Sequence, residues 1–381
     1  MRILIVHNIL WSHYKAIIFN ELSKKLSKNL LVVQIASNEA SRTNFGETDL
    51  SLHQYPYTLL HDGTIEEIGF FRRTYGILKT IIKFKPDVIN LTGYDDVASW
   101  IVIVFCKLRG IKTILSNEST NSDHQRSAVK EFIKKLIISQ FDGFFNFGTE
   151  SKKYMISLGA DANKMLVNRN CVDNQKLKTI YENHLPFRKE KQSQLKVASK
   201  NFIFIGRLIN YKNLIFFLES FSFSHNNSEN DWGVLILGNG VQKTELEEFI
   251  KERQIRNVHF EDGVSWQEVP KYLALSDVLV LPSYSEPWGL VVNEAMACGL
   301  PVLVSEKCGC ATDLVRNGEN GFIFSPFNSL ELSKLLLKFI NEEVDVKQMG
   351  IASENIIKDF SPENVANEMY DGFKSVLNPN A

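Results

Sequence analysis

Short runs of β-branched, leucine or aromatic residues recur along the chain, and the segments between them carry apolar positions at helical spacing. That alternation predicts repeated βαβ units around parallel sheets. In the first half the strand-like runs are RILIV (2–6), LLVVQI (30–35), DVINLT (87–92), KTILS (112–116), GFFNF (143–147) and MLVN (165–168). The pattern restarts at NFIFIG (201–206) and continues through GVLILG (233–238), NVHF (257–260), DVLVLP (277–282), PVLVS (301–305) and GFIF (321–324). Two doubly wound, Rossmann-like α/β domains are expected, one over 1–185 and one over 196–360. The charged segment 182–200, with a single proline and no firm apolar period, reads as the linker between them. The stretch 361–377 begins with Ser361 as N-cap and Pro362 at the first helical position, which predicts a terminal helix free to pack back on the first domain.

Composition narrows the class. With 381 residues, 44% apolar and 23% charged, the chain can bury a core in each domain. No apolar run reaches the roughly 18 residues of a membrane span. The opening MRILIVHNILW enters a strand without the charged head and cleavage site of a signal peptide. Cys106, Cys171, Cys298, Cys308 and Cys310 form no CxxC pair and suit free thiols, so a cytoplasmic protein is expected.

The net charge of −1 hides an asymmetry: residues 1–195 hold 27 Lys and Arg against 19 Asp and Glu, and residues 196–381 hold 16 against 25. A basic first half suits an anionic substrate or surface, and equally suits solvated helix faces. Two stretches, 70–85 and 126–141, set Lys and Arg beside apolar residues at helical spacing. Peripheral contact with an anionic bilayer at the inner face of the membrane is one reading of them, and packing of the apolar stripe on a sheet is the other. No nucleic-acid partner is expected.

Two Rossmann-like domains first suggest dinucleotide chemistry, which needs glycines after the first strand; HNILWSHYK (7–15) has none. Gly238-Asn239-Gly240 follows a later strand, but Lys243 stands where the third glycine belongs. The strongest segment runs from 283 to 321. Its strand ends at Pro282, Glu286 lies in the loop, a helix starts near Gly289, and Glu294 sits about one turn inside it. That is a ligand position outside the carboxyl end of a parallel strand. Backbone N–H groups near Gly289 and Leu290 suit a phosphate. A carboxylate on each side can accept hydrogen bonds from sugar hydroxyls, one set on a transferred sugar and one on a nucleoside ribose.

Glu286, seven residues and Glu294 are similar to the signature of the retaining glycosyltransferases of family 4, which this chain resembles. FIGRLINYKN (204–213) is similar to that family's Gly-Arg segment with its following Lys, and 262–283 to its base-binding turn, helix and strand. NRNCVDNQKL (168–177) is similar to the segment that closes the first domain. The resemblance implies the GT-B fold, two Rossmann-like domains facing across a cleft. It also implies transfer of a sugar, with retention, from a nucleotide-sugar to a hydroxyl acceptor such as a glycan or a lipid-linked saccharide. Arg207 and Lys212 would then bind the diphosphate, the backbone at Val264 and Ser265 the base, and Glu294 the ribose. Glu286 would serve the transferred sugar as a catalytic residue, with Gly238, Trp288, Gly289 and Leu290 completing the donor side. Two cations and a helix N-terminus can stabilise the departing nucleoside diphosphate.

No Asp-x-Asp pair with phosphate-bridging spacing stands at a strand end, so neither metal nor cofactor is expected beyond the UDP- or GDP-linked co-substrate. Cys308-Gly309-Cys310 is too close for a zinc pair. The first loop departs from the family, carrying Trp11, His13, Tyr14 and Lys15 in place of paired glycines. Tyr14 and Lys15 are therefore assigned to the acceptor, together with Tyr94 and Asp95 after strand 87–92. Glu118, after strand 112–116, is a second catalytic candidate or a structural loop carboxylate. His7 ends the first strand, where it reaches the site or serves the core. A sugar-nucleotide epimerase, or a binding protein that has lost transfer, are the alternative functions.

Overall fold

The computed structural model describes residues 1–40, 48–94, 96–119, 128–225 and 231–378. Seven strands form the first sheet: β1 (Ile3–Ile9), β2 (Leu30–Asn38), β3 (Tyr57–Thr64), β4 (Val88–Thr92), β5 (Lys112–Asn117), β6 (Gly143–Asn146) and β7 (Met165–Asn168). Their order is β3-β2-β1-β4-β5-β6-β7, with every neighbouring pair parallel. The second sheet holds β8 (Lys200–Ile205), β9 (Trp232–Leu237), β10 (Val258–Glu261), β11 (Val278–Leu281), β12 (Val302–Ser305) and β13 (Gly321–Phe324). It runs β10-β9-β8-β11-β12-β13, again all parallel. Strand order reverses beside β1 and β4 in one sheet and beside β8 and β11 in the other. Loops leaving the carboxyl ends there diverge to opposite faces and open a crevice, the usual ligand position in such sheets.

The chain divides into two compact units, Met1–Cys171 with the stretch from Pro362 onward, and Val172–Ser361. The helix Pro362–Leu377 packs on the helix His13–Leu26 and on β6 and β7 of the first unit. It buries Val365, Met369 and Phe373, and the Phe373 ring meets Phe145 edge-on at 5.1 Å.

Two expectations need correction. The segment 182–200 is not a linker: it holds the end of the helix Asn174–His184 and all of the helix Arg188–Leu195, both in the second unit. Arg188 pairs with Asp277 at 2.7 Å, and buried Gln192 donates to the carbonyls of Ser199 and Leu275. Charge on an amphipathic helix one face of which is docked looks, in sequence, like charge on a tether. The boundary accordingly falls after Cys171 and not near residue 190. The second correction is β3, which no apolar run announces. It is an edge strand paired only with β2, none of its residues is fully buried, and half of its sequence, HDGT, is polar or glycine.

Candidate functional site

In the second unit the site grows from the carboxyl ends of β8 and β11. After β8 the chain passes Gly206 and Arg207 and makes a single turn, Asn210–Lys212, ended by Asn213 in a left-handed conformation. The Asn213 amide donates to the carbonyls of Pro282 and Pro326, and Tyr284 N–H donates to the Tyr211 carbonyl at 3.1 Å. These bonds fix the loop after β8 against the loop after β11. They bring the Lys212 ammonium onto the Glu286 carboxylate in a partly buried ion pair. Glu286 is held from the other side by the loop after β12, where Gly309 N–H donates to its carbonyl at 2.9 Å.

The helix Leu290–Ala297 begins at Gly289, whose φ of +96° favours glycine, and an added Cβ there would lie 2.8 Å from a Leu281 methyl. One turn in, the Glu294 carboxyl has neither ion pair nor hydrogen bond among the described residues, and burial raises its pKa to about 8. Part of its surface still reaches solvent. Arg207 is exposed, and its guanidinium has no partner among the described residues. The partly buried Glu294 carboxyl and the exposed Arg207 guanidinium therefore have hydrogen-bonding capacity left over among the described residues.

Gly238 has a packing role. Its Cβ would lie 1.9 Å from the Gly206 carbonyl oxygen, so the loop after β9 can lie flat on the Gly-Arg loop. Leu208 N–H donates to the Asn239 carbonyl at 2.9 Å across the same contact. Val264 is half-buried and Ser265 exposed, in the turn that leads to the helix Val269–Leu273.

A pocket in the first unit is lined by His7, Lys15, Asn90, Ser116, Glu118 and Phe147 among others. Lys15 is buried, pairs with the Glu118 carboxylate, and stands 3.3 Å from the centre of the Phe147 ring. The ring face stabilises the desolvated ammonium. His7 Nδ1 lies 3.0 Å from Gln34 Oε1, and the Gln34 amide donates to the Tyr55 hydroxyl. Burial lowers the His7 pKa to about 4, so the ring is neutral at pH 7. Asn90 and Ser116 exchange two hydrogen bonds across β4 and β5. Asn90, Ser116 and Gln34 went unremarked in the sequence, although a polar residue inside an otherwise buried parallel strand is itself a signal.

An uncharacterized glycosyltransferase of Haemophilus influenzae is 30% identical over 182 residues, 47% of this chain and 50% of that protein. The N-acetyl-alpha-D-glucosaminyl L-malate synthase of Bacillus anthracis is 26% identical over 155 residues, 39% of either chain. The chain spans half or less of the length of these curated relatives. The crystal structure of HepE from Anabaena in complex with UDP superposes with a TM-score of 0.79, covering 98% of this chain and 100% of that one, at 19% identity. Residues 187–356 match the model of the glycosyl transferases group 1.

The group 1 match contains Arg207, Lys212, Glu286 and Glu294, and begins at the edge of the helix Arg188–Leu195. The fold is that of the GT-B glycosyltransferases, two Rossmann-like α/β units. Against this frame two side chains stand differently from expectation. The Trp288 indole, expected among the donor-binding groups, is buried, donates to Asn293 Oδ1 at 2.8 Å and leans on Phe360. Tyr94 is 3% exposed and belongs to the apolar cluster beneath the helices of the first unit, because Trp100 Nε1 donates to its carbonyl and turns the loop inward. Asp95 lies outside the described residues. Tyr14 is half-buried beside Lys15, with its ring edge-on to His13.

Proposed function

We propose that the protein transfers a sugar from a nucleotide-sugar donor to a hydroxyl acceptor with retention of anomeric configuration. The second unit holds the donor and the first receives a glycan or lipid-linked acceptor; peripheral contact with a membrane belongs to the same reading. The observation that carries the proposal is the single cluster at the β8 and β11 carboxyl ends. It offers a Lys212–Glu286 pair, a helix N-terminus, and a cation and a recessed carboxyl that have no side-chain partner among the described residues. Diphosphate fits the cations and helix N–H groups, and ribose hydroxyls fit Glu294. In the transfer, the bond from the anomeric carbon to the diphosphate oxygen breaks and a bond to the acceptor oxygen forms. The acceptor's proton passes to the departing diphosphate, whose charge Arg207 and Lys212 offset as it develops.

Melting measured against a panel of UDP- and GDP-sugars tests the donor site, because a ligand that binds only the folded chain raises its midpoint. Mass spectrometry of products then separates transfer from epimerisation. No shift with any nucleotide would remove the donor from this site.

Arg207→Ala and Lys212→Ala should each weaken nucleoside diphosphate binding by about 1.5–3 kcal/mol. Arg207 should fall at the upper end, since Lys212 must first give up part of its pairing with Glu286. Calorimetry showing unchanged affinity in both variants would place the diphosphate elsewhere. With Arg207 and Lys212 assigned to the diphosphate in this reading, transfer is expected to run as fast in chelator as in magnesium or manganese. Loss of turnover in chelator, restored by one divalent ion, would refute that.

A further inference from the structure

One face of the seven-stranded sheet is covered by the helices Phe70–Phe84, Val97–Leu108 and Ala128–Ile138, which send Ile77, Ile81, Val102, Ile103 and Ile138 into a common apolar cluster. A helix with its apolar stripe so placed ordinarily turns mainly polar residues to water. These add large apolar residues to the outer side as well. Val97, Ile101, Val104 and Leu108 are all exposed, Leu108 by 81%, and their spacing of four, three and four sets them in one line along the outer side. That helix is apolar inside and out. On its neighbour Phe70–Phe84, exposed Phe71, Tyr75 and Ile82 form a matching line, with Phe71 82% exposed. Ile133 and Leu136 extend the surface on the third helix. Exposed large apolar residues of the second unit, such as Phe187, Phe223, Val241 and Ile351, sit instead on separate loops and helices, as isolated surface residues do.

Charge says what covers this face. Residues 70–85 and 97–109 contain seven Lys or Arg and no Asp or Glu. Arg73 is tied to Asp96 and Lys107 to Asp142. Arg72, Lys79, Lys83 and Lys85 are exposed and have no carboxylate partner among the described residues. The Lys79 ammonium lies 5.8 Å from the centre of the Tyr75 ring, so a cation stands beside the apolar line, and a lysine there can reach a headgroup while its methylenes stay in apolar surroundings.

We propose that this face of the first unit docks on an anionic lipid bilayer, with the two apolar lines at the headgroup–acyl boundary and the unpaired cations on lipid phosphates. Apolar burial and electrostatic attraction are the two signals that stable interfacial binding requires. No described helix is long and apolar enough to cross a membrane, so the contact is one of surface docking by these helices.

Flotation of the full chain with phosphatidylcholine vesicles, with and without phosphatidylglycerol, tests it. Binding is expected only to the anionic vesicles and should be released by high salt. Phe71→Ser and Val104→Asn should each lower the partition about ten-fold, and Lys79→Glu with Lys83→Glu by at least about ten-fold. Phe327→Ser, an exposed position in the second unit, should change nothing. All four sites are on the surface, so melting should stay at the parent value, and nucleotide binding should persist, which separates a failure here from a failure of the donor site. Binding to neither vesicle, or equal binding by all variants, would overturn the proposal. So would a dimer in sedimentation that Val104→Asn dissociates while vesicles are ignored, since the face would then be a contact between copies of the chain.

Discussion

Glu286→Gln is expected to lower turnover by about 100-fold or more while the variant binds free nucleoside diphosphate at least as tightly as the parent. The two halves of that result have separate causes. A carboxylate beside the transferred sugar gains interaction energy as the anomeric carbon becomes cationic, so removing its charge costs more in the transition state than in the ground state. The same carboxylate pairs with the Lys212 ammonium. Neutralising it frees Lys212 for the diphosphate, which offsets any loss in affinity. Nucleotide titration with single-turnover rates checks both halves, and a melting curve shows whether the loop between β11 and the helix Leu290–Ala297 survives. Full turnover in the variant, or affinity lowered as much as by Lys212→Ala, would show that Glu286 does not serve the sugar.

Glu294→Gln should act in the opposite sense on stability and on binding. Burial raises the folded-state pKa of this carboxyl from its ordinary 4.5 to about 8. Between those values the folded chain holds a proton that the unfolded chain has released. Stability from this group is therefore complete below about pH 4.5 and falls as pH rises through 8. Glutamine carries no such penalty. The variant should match the parent at acid pH and exceed it at pH 8.5 by roughly 2–3 kcal/mol, less than the whole shift because the side chain keeps some solvent contact. Thermal melts across that range read the difference.

Binding of a nucleoside diphosphate should meanwhile weaken about 10- to 100-fold, the cost of losing charge-assisted bonds to ribose hydroxyls. If the hydroxyls donate to the ionised form, parental affinity also rises with pH toward 8 relative to the variant's. A melting difference independent of pH, with affinity unchanged, would mark Glu294 as an ordinary structural carboxyl. Both results together would mark Glu294 as a group that costs folded-state stability and serves a ligand, a recurrent property of binding sites.

The near-complete strand list, the two sheets and the terminal helix were readable because each depends on neighbouring residues. Runs such as VLVL in β11 or FIFI in β8 are buried on both faces and so remain apolar throughout. The Ser361–Pro362 start of the last helix is a local signal of the same kind. The placement of Glu286 and Glu294, with seven residues between them, was readable for that reason too: a strand end, a loop and one helical turn are contiguous, so the two carboxyls can be positioned from the chain alone.

What the tertiary structure decided are relations between residues far apart in the chain. Lys212 meets Glu286 across 74 positions because Asn213 and Tyr211 tie two loops together, turning two separately assigned residues into one coupled unit. Lys15 meets Glu118 over the Phe147 ring in the same way. Trp288 and Tyr94 lie next to chemically informative neighbours in sequence, yet packing turns both rings into the core. For the helix Val97–Leu108, only its place on the sheet reveals that one apolar line faces inward and another outward. Local pattern specifies which residues can form an element and which faces are apolar. Long-range contacts, made once the sheet order is set, specify what each face meets, and a partner for a charge or an apolar stripe is a property of those contacts.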